Sequence, residues 1–257
     1  MPATEARSRL HVVLVEPGDS LNVGSVARAM SNLGFANLHL VAPPRYDSER
    51  AATTACWATD VLEQAQVHET LAEALAPMQE VVGFTARHGR HRPSHVLLPD
   101  WVAGLRERPP VETALMFGPE DTGLRAEHLS ACRWLVRIPS AGANPSFNLA
   151  QAVLLALSEV SRLDWHRIDE LPATDRAREG DLQQLERLVE EAAIRSGFYG
   201  KGTPEPLPDL MKRLLRRIEP DTRELPVLLG LFDRINRTLS GRSPVQPLPG
   251  EEEGGTE

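Results

Sequence analysis

Four short stretches carry the residue types that could do chemistry. In Asn22-Val-Gly-Ser-Val-Ala-Arg28 a carboxamide and a guanidinium lie close in sequence. In Phe117-Gly-Pro-Glu-Asp-Thr-Gly-Leu124 two acids, Glu120 and Asp121, sit between Gly118 and Gly123. The third stretch runs from Ile138 through a loop of small residues and prolines to Ser146, Phe147 and Asn148. Small residues let backbone approach a ligand closely, and free N–H groups at a helix start favour polar or anionic groups. Taken alone, such a stretch reads first as an ordinary strand-loop-helix connection. Two acids in a tight turn just after a strand lie where parallel sheets bind ligands. An arginine in mid-helix is ordinarily a solvated surface residue, and gains chemical meaning only where the helix start faces a cleft. The fourth stretch, Ala86 to His95, holds Arg87, Arg90 and Arg92 with His88, His91 and His95, and no acid. Metal ligands must converge, and loop histidines among arginines rarely do, so no metal is expected. The loop either meets phosphate or is a solvated basic loop.

These residues need elements to position them. His11 to Val15, Asn37 to Val41, Glu80 to Thr85, Thr113 to Phe117 and Leu135 to Ile138 are short apolar runs that read as buried strands, with a sixth near Val67. Helices are expected from Asn22, placed as the cap, to Gly34; over Ser48–Val61; from Thr70; around His95 to Arg106; over Arg125 to Cys132; and from Asn148 to about Leu163, capped by Ser146 or Asn148. Strands alternating with helices predict an α/β fold, a parallel sheet with helices on both faces. A dinucleotide glycine pattern, a phosphate-binding Gly-Lys-Ser/Thr loop and a Gly-x-Ser-x-Gly elbow are all absent, which removes the main support for nicotinamide, ATP and esterase chemistry.

The chain has 257 residues and a formal net charge of -8, so local basic patches rather than global charge must serve any nucleic-acid partner. Its two cysteines, Cys56 and Cys132, form no metal or redox spacing, which fits a reducing compartment. The start lacks a signal-peptide core, and no run of about 18 apolar residues exists, so a cytoplasmic protein without a membrane span is expected. Residues 171–180 are polar and broken by proline and read as a linker between a first domain (1–170) and a helical extension (181–241). The extension holds three helical stretches, Asp181–Ser196, Pro208–Ile218 and Thr222–Leu239, the last with a kink expected near Pro226. In the second, Leu210, Met211, Leu214, Leu215 and Ile218 share one face, opposite Lys212, Arg213, Arg216 and Arg217. The basic face either touches RNA or is solvated; the apolar faces should pack together or on a partner subunit. Residues 242–257 read as a disordered tail.

The three motifs, in order and each after an expected strand, resemble the SPOUT superfamily of RNA ribose 2′-O-methyltransferases, most closely its TrmJ-type tRNA methyltransferases. The resemblance is strong over about residues 10 to 165 and looser to about Leu239. It implies a sheet whose C-terminal part threads a deep trefoil knot, S-adenosylmethionine as cofactor, a homodimer with each site completed near the subunit interface, and methylation of nucleotide 32 of the tRNA anticodon loop. A ribosomal RNA target and a non-catalytic RNA-binding member are the alternatives. Position by position, Phe84, Thr85, Ala86, Gly118, Ile138, Pro145, Ser146 and Phe147 match the cofactor-contacting loops. Arg28 matches the catalytic arginine, Asn22 its motif partner, and Glu120, Ser146 and Asn148 the remaining polar positions. Arg87, Arg90 and Arg92 are the expected RNA contacts. Glu120 and Asn22 are expected to fix the Arg28 side chain. The chain departs from the pattern at Phe84-Thr-Ala-Arg87, where relatives often have Thr-Ser-Ala-Arg, and at Pro145, where a second serine is common.

Overall fold

A computed structural model describes residues 5–86, 95–142, 146–171, 174–199 and 206–241. Its strands are β1 (Leu10–Val15), β2 (Asn37–Val41), β3 (Gln66–His68), β4 (Glu80–Phe84), β5 (Val96–Leu97), β6 (Thr113–Phe117) and β7 (Trp134–Arg137). They form one sheet in the order β3-β2-β1-β6-β4-β7-β5, and each pairing is parallel. The helices of the first two-thirds are α1 (Glu5–Ser8), α2 (Ser20–Leu33), α3 (Ser48–Ala55), α4 (Thr59–Glu63), α5 (Leu71–Leu75), α6 (Leu98–Leu105), α7 (Ala126–Ser130), α8 (Leu149–Ser161) and α9 (Trp165–Asp169). The remainder is α10 (Glu179–Arg195), α11 (Pro206–Ile218) and α12 (Glu224–Leu239).

Side chains alternate across a strand, so each strand feeds both faces. Val12, Leu14, Leu38, Leu40, Phe84, Leu115 and Phe117 pack under α2, α6 and α8. Val13, Val15, Val41, Val81, Met116 and Leu135 pack on the other face with Leu75 of α5 and Leu129 of α7. Both faces being covered explains why the strands read as continuous apolar runs. The expected α/β sheet with helices on both faces is what the structure shows. No described helix is long and apolar enough to cross a membrane.

Several local expectations need correction. Asp19, not Asn22, caps α2: its carboxylate accepts from the Leu21 N–H at 3.0 Å. Ser48–Val61 is two helices, because Cys56 takes φ 54° and breaks the run. The helix expected from His95 is preceded by the short strand β5. Pro226 lies in the first turn of α12, where a proline's missing N–H costs nothing, so it needs no kink.

In the helical extension Ala177, Leu185, Val189, Leu215 and Leu225 form a small core. Met211 packs against it, but Leu210, Leu214 and Ile218 are exposed. Arg216 is not on an open basic face: it is half-buried, held between Glu179 at 2.6 Å and Glu186 at 2.9 Å, and donates to the Ala131 carbonyl. The segment before α10, together with the first residues of α10, lies against the sheet domain. Arg176 pairs with the buried Glu80 at 3.0 Å, and the Glu179 and Gly180 N–H groups donate to Met78 and Ala76. Residues 242–257 lie outside the described residues.

Candidate active site

In a parallel sheet all carboxyl ends lie along one edge. β1, β6, β4 and β7 are neighbours, so the loops after Val15, Phe117, Phe84 and Arg137 converge there. Those after Phe84, Phe117 and Arg137 enclose a cavity of about 610 Å³, within the ~300–1,000 Å³ usual for ligand sites. Phe84, Thr85 and Ala86 line it from β4, Gly118 and Glu120 from β6, Ile138 from β7, and Ser146 and Phe147 from the approach to α8. Every residue expected to contact the cofactor is there except Pro145, which lies outside the described residues, as do the expected RNA contacts Arg87, Arg90 and Arg92. Asp121 and Gly123, from the turn that the sequence marks as a ligand-binding place, also line it, as do Phe117, Pro119, Leu149 and Ala152, which the sequence does not single out for contact. Their signal was position alone, since each borders an expected loop.

Local chemistry sets this shape. Phe84 stacks on Phe117 with ring centroids 4.4 Å apart, giving the cavity an aromatic floor at the ends of two adjacent strands. The turn after β6 folds back on itself, with the Gly123 N–H donating to Pro119 at 2.8 Å and Gly123 at φ 61°. A Cβ at Gly118 would lie 2.4 Å from the Gly123 backbone, so this cradle admits only glycine. Asn148 caps α8, its side chain accepting from the Ala150 N–H at 2.9 Å.

Beside the cavity runs a row of hydrogen bonds. The Gly18 N–H donates to Glu120 Oε2 at 3.0 Å, Asn22 Nδ2 to Glu120 Oε1 at 2.6 Å, and Asn148 Nδ2 to Asn22 Oδ1 at 3.0 Å. Three separated motifs thus meet in one polar string, and each amide orientation follows from the acceptor it faces. The string opens onto an adjoining cleft lined by Glu16, Asp19, Asn22 and Arg125, which shares Pro119, Glu120 and Asp121 with the cavity. Arg125 grips both oxygens of Glu16 at 2.7 Å, and this hydrogen bonding holds the Glu16 carboxyl below its usual range. That fork ties the loop after β1 to the start of α7. Neither Glu16 nor Arg125 was expected from sequence.

Arg28 is elsewhere. Glu120 and Asn22 bond one another rather than fixing it; the exposed Arg28 donates from Nη1 to Cys56 Sγ at 3.4 Å, and it does not line the cavity. The reason is helical geometry: at ~100° per residue, positions 22 and 28 fall about 120° apart around α2.

A model of the SpoU rRNA Methylase family matches residues 9–158. The chain belongs to the SpoU methylase family. The likeness continues past the matched segment of this SpoU-family chain. It is 32% identical over 242 residues to the tRNA (cytidine/uridine-2′-O-)-methyltransferase TrmJ of Sodalis glossinidius, covering 91% of this chain and 94% of that one. The TrmJ of Citrobacter koseri is 34% identical over 241 residues, covering 91% and 98%. Among solved structures, TrmJ from Z. mobilis ZM4 superposes with a TM-score of 0.76 at 28% identity, covering 87% of this chain and 97% of the other. The SpoU-family chain is therefore a methyltransferase of TrmJ type, and spans of this length take in the helical extension.

Proposed function

We propose that this SpoU-family chain transfers a methyl group from S-adenosylmethionine to the ribose 2′-OH of nucleotide 32 in the tRNA anticodon loop, as a cytoplasmic homodimer whose C-terminal sheet segment is knotted. The observation that carries the reading is the Gly18–Glu120–Asn22–Asn148 string beside the cavity: residues of three motifs meet at one sheet edge. The TrmJ name of the relatives supports the tRNA target.

The cavity suits the cofactor. Phe84, Phe117, Ile138 and Leu149 give apolar walls, and the carboxylates of Glu120 and Asp121 suit a cationic group. Thr85, Ala86, Gly118, Ile138, Pro145, Ser146 and Phe147 would hold it. When bound, S-adenosylmethionine supplies a methyl group already activated on a sulfonium, so the reaction needs no metal. The chain's own task is alignment of the ribose oxygen, which is a large part of such catalysis. Ser146 orients the ribose from the cavity wall. Glu120 and Asn22 keep the Asn148 amide, and with it the start of α8, in register with the loops after β1 and β6. Arg28 acts as a clamp on phosphate or on developing negative charge, not as a base. The ribose proton passes to a phosphate oxygen or to water.

Arg28 lies outside the cavity lining of its own chain, which supports a dimer in which one protomer's Arg28 completes the site of its partner. Leu154 and Leu155, exposed on α8, give such a contact an apolar surface. The test is nucleoside mass spectrometry of unmodified tRNA incubated with the protein and S-adenosylmethionine. A 2′-O-methylnucleoside mapped to position 32 is expected. Methylation of ribosomal RNA instead, the target in the family's description, would overturn the tRNA assignment; methylation of neither would leave an RNA-binding member.

A further inference from the structure

Trp57 is 99% exposed, while the next most exposed large hydrophobic residue described, Val227, is at 70%. Tryptophan is highly buried on average, so so bare a ring needs a reason. The surrounding chain is not loose. Ala55 and Ala58 on either side are buried at 0% and 3%, and the Ala58 N–H donates to the Ala55 carbonyl at 3.0 Å. Between them Cys56 adopts φ 54° and ψ −112°, a conformation that side-chain-bearing residues rarely take. The turn thus drives Trp57 outward from two anchored neighbours. Its helix, α3, is itself docked on α2: Gly24 leaves the space for the Ala51 carbonyl, and Thr54 Oγ1 donates to the Leu21 carbonyl at 2.7 Å.

The residue before Trp57 is the one that meets Arg28, through the 3.4 Å contact at Cys56 Sγ. A thiol is a weak acceptor, so most of the Arg28 donors are available to an anion. An uncovered aromatic ring on the residue next to the one that meets a lightly held guanidinium offers the two groups by which proteins hold single-stranded nucleic acid, a ring for a base and a cation for a phosphate. A protein partner fits less well, because an aromatic anchor for a protein is normally ringed by apolar contacts. The exposed residues next to it in sequence are Thr53, Cys56, Thr59 and Asp60, none of them a large apolar side chain.

We propose that Trp57 is a stacking platform for an unpaired base of the RNA next to the methylated nucleotide, with Arg28 holding the adjoining phosphate. This rests on the RNA methylation reading above. The test compares wild type with Trp57→Ala and Trp57→Phe on an unmodified tRNA transcript. Because Trp57 is bare, both variants keep the wild-type melting temperature. Trp57→Ala raises KM for tRNA about 10- to 100-fold, the range that base–aromatic stacking gives, while kcat, S-adenosylmethionine affinity and molecular mass in solution stay unchanged. Trp57→Phe recovers most of the loss. The wild-type minus Trp57→Phe fluorescence difference, which isolates this indole, is quenched by the transcript. A KM within twofold of wild type, or a drop in molecular mass showing that the ring joins two copies of the chain, overturns the proposal. If the wild type transfers no methyl group to tRNA, the substrate reading fails, and the same quenching decides the platform alone: quenching upholds it and silence refutes it.

Discussion

Acid should destabilise this protein through one buried histidine. His11, His39 and His68 stand side by side on β1, β2 and β3. Their ring nitrogens form a chain of 2.9 Å contacts that ends 2.7 Å from Glu112. His39, in the middle, is 2% exposed. Burial, then the neighbouring His11 and His68, push its pKa down from 6.5 to about 4. Below pH 6.5 the unfolded chain takes up a proton that the folded chain refuses until about pH 4. The stability this group confers is complete above 6.5 and is lost as pH falls across that window. At ~1.4 kcal/mol per pH unit, the loss is about 2 kcal/mol by pH 5 and about 3 kcal/mol at the lower end. That is a large share of the ~5–15 kcal/mol typical of a folded domain. Urea midpoints at pH 7.5 and pH 5 measure it, given unchanged m-values. His39→Gln keeps hydrogen-bonding capacity but cannot titrate, so its midpoint should fall less than that of wild type between the two pH values. An equal fall in both proteins would refute the reasoning and place the acid sensitivity elsewhere.

Three further outcomes follow from the packing and the site. A Cβ at Gly24 would lie 1.9 Å from the Ala51 carbonyl oxygen, so Gly24→Ala must push α3 from α2. Calorimetry should show a loss of about 1–3 kcal/mol or more, with weaker tRNA binding because Cys56 and Trp57 move too. Arg216→Met strands the buried Glu179 and the half-buried Glu186, whose pKa values desolvation already raises, and should cost about 3–5 kcal/mol in chemical denaturation. Finally, Arg28→Ala and Glu120→Gln should each abolish turnover while cofactor binding to Arg28→Ala survives. When the two inactive proteins are mixed and allowed to exchange subunits, roughly a quarter of wild-type activity should return, since half the dimers then carry one intact site. No recovery, with exchange verified by mass, means that Arg28 acts within its own chain.

What the sequence made legible is what depends on strand ends. Gly118, Thr85, Ile138 and Ser146 reach one cavity because each follows a strand of a parallel sheet, and a parallel sheet has only one carboxyl edge. What escaped it depends on rotation about a helix and on which apolar rows find cover. Asn22 looked like a cap, but Asp19 begins α2 earlier. That places Asn22 inside the first turn, with its side chain free to join Glu120 and Asn148. Leu210, Leu214 and Ile218 keep helical spacing as faithfully as Met211 and Leu215, yet only the latter pair meet the small core. Periodicity gives a face and not its partner. Arg28 shows the same limit in sharper form. It shares a motif with Asn22, which suggests a shared task at one place, but a helix cannot turn residues 22 and 28 toward the same side. A motif that must act as a unit therefore needs something beyond α2 to bring its ends together. Within one chain Cys56 occupies the Arg28 end and Glu120 the Asn22 end, so in the proposed mechanism bound RNA, or the second protomer of the proposed dimer, is the element that has to join them.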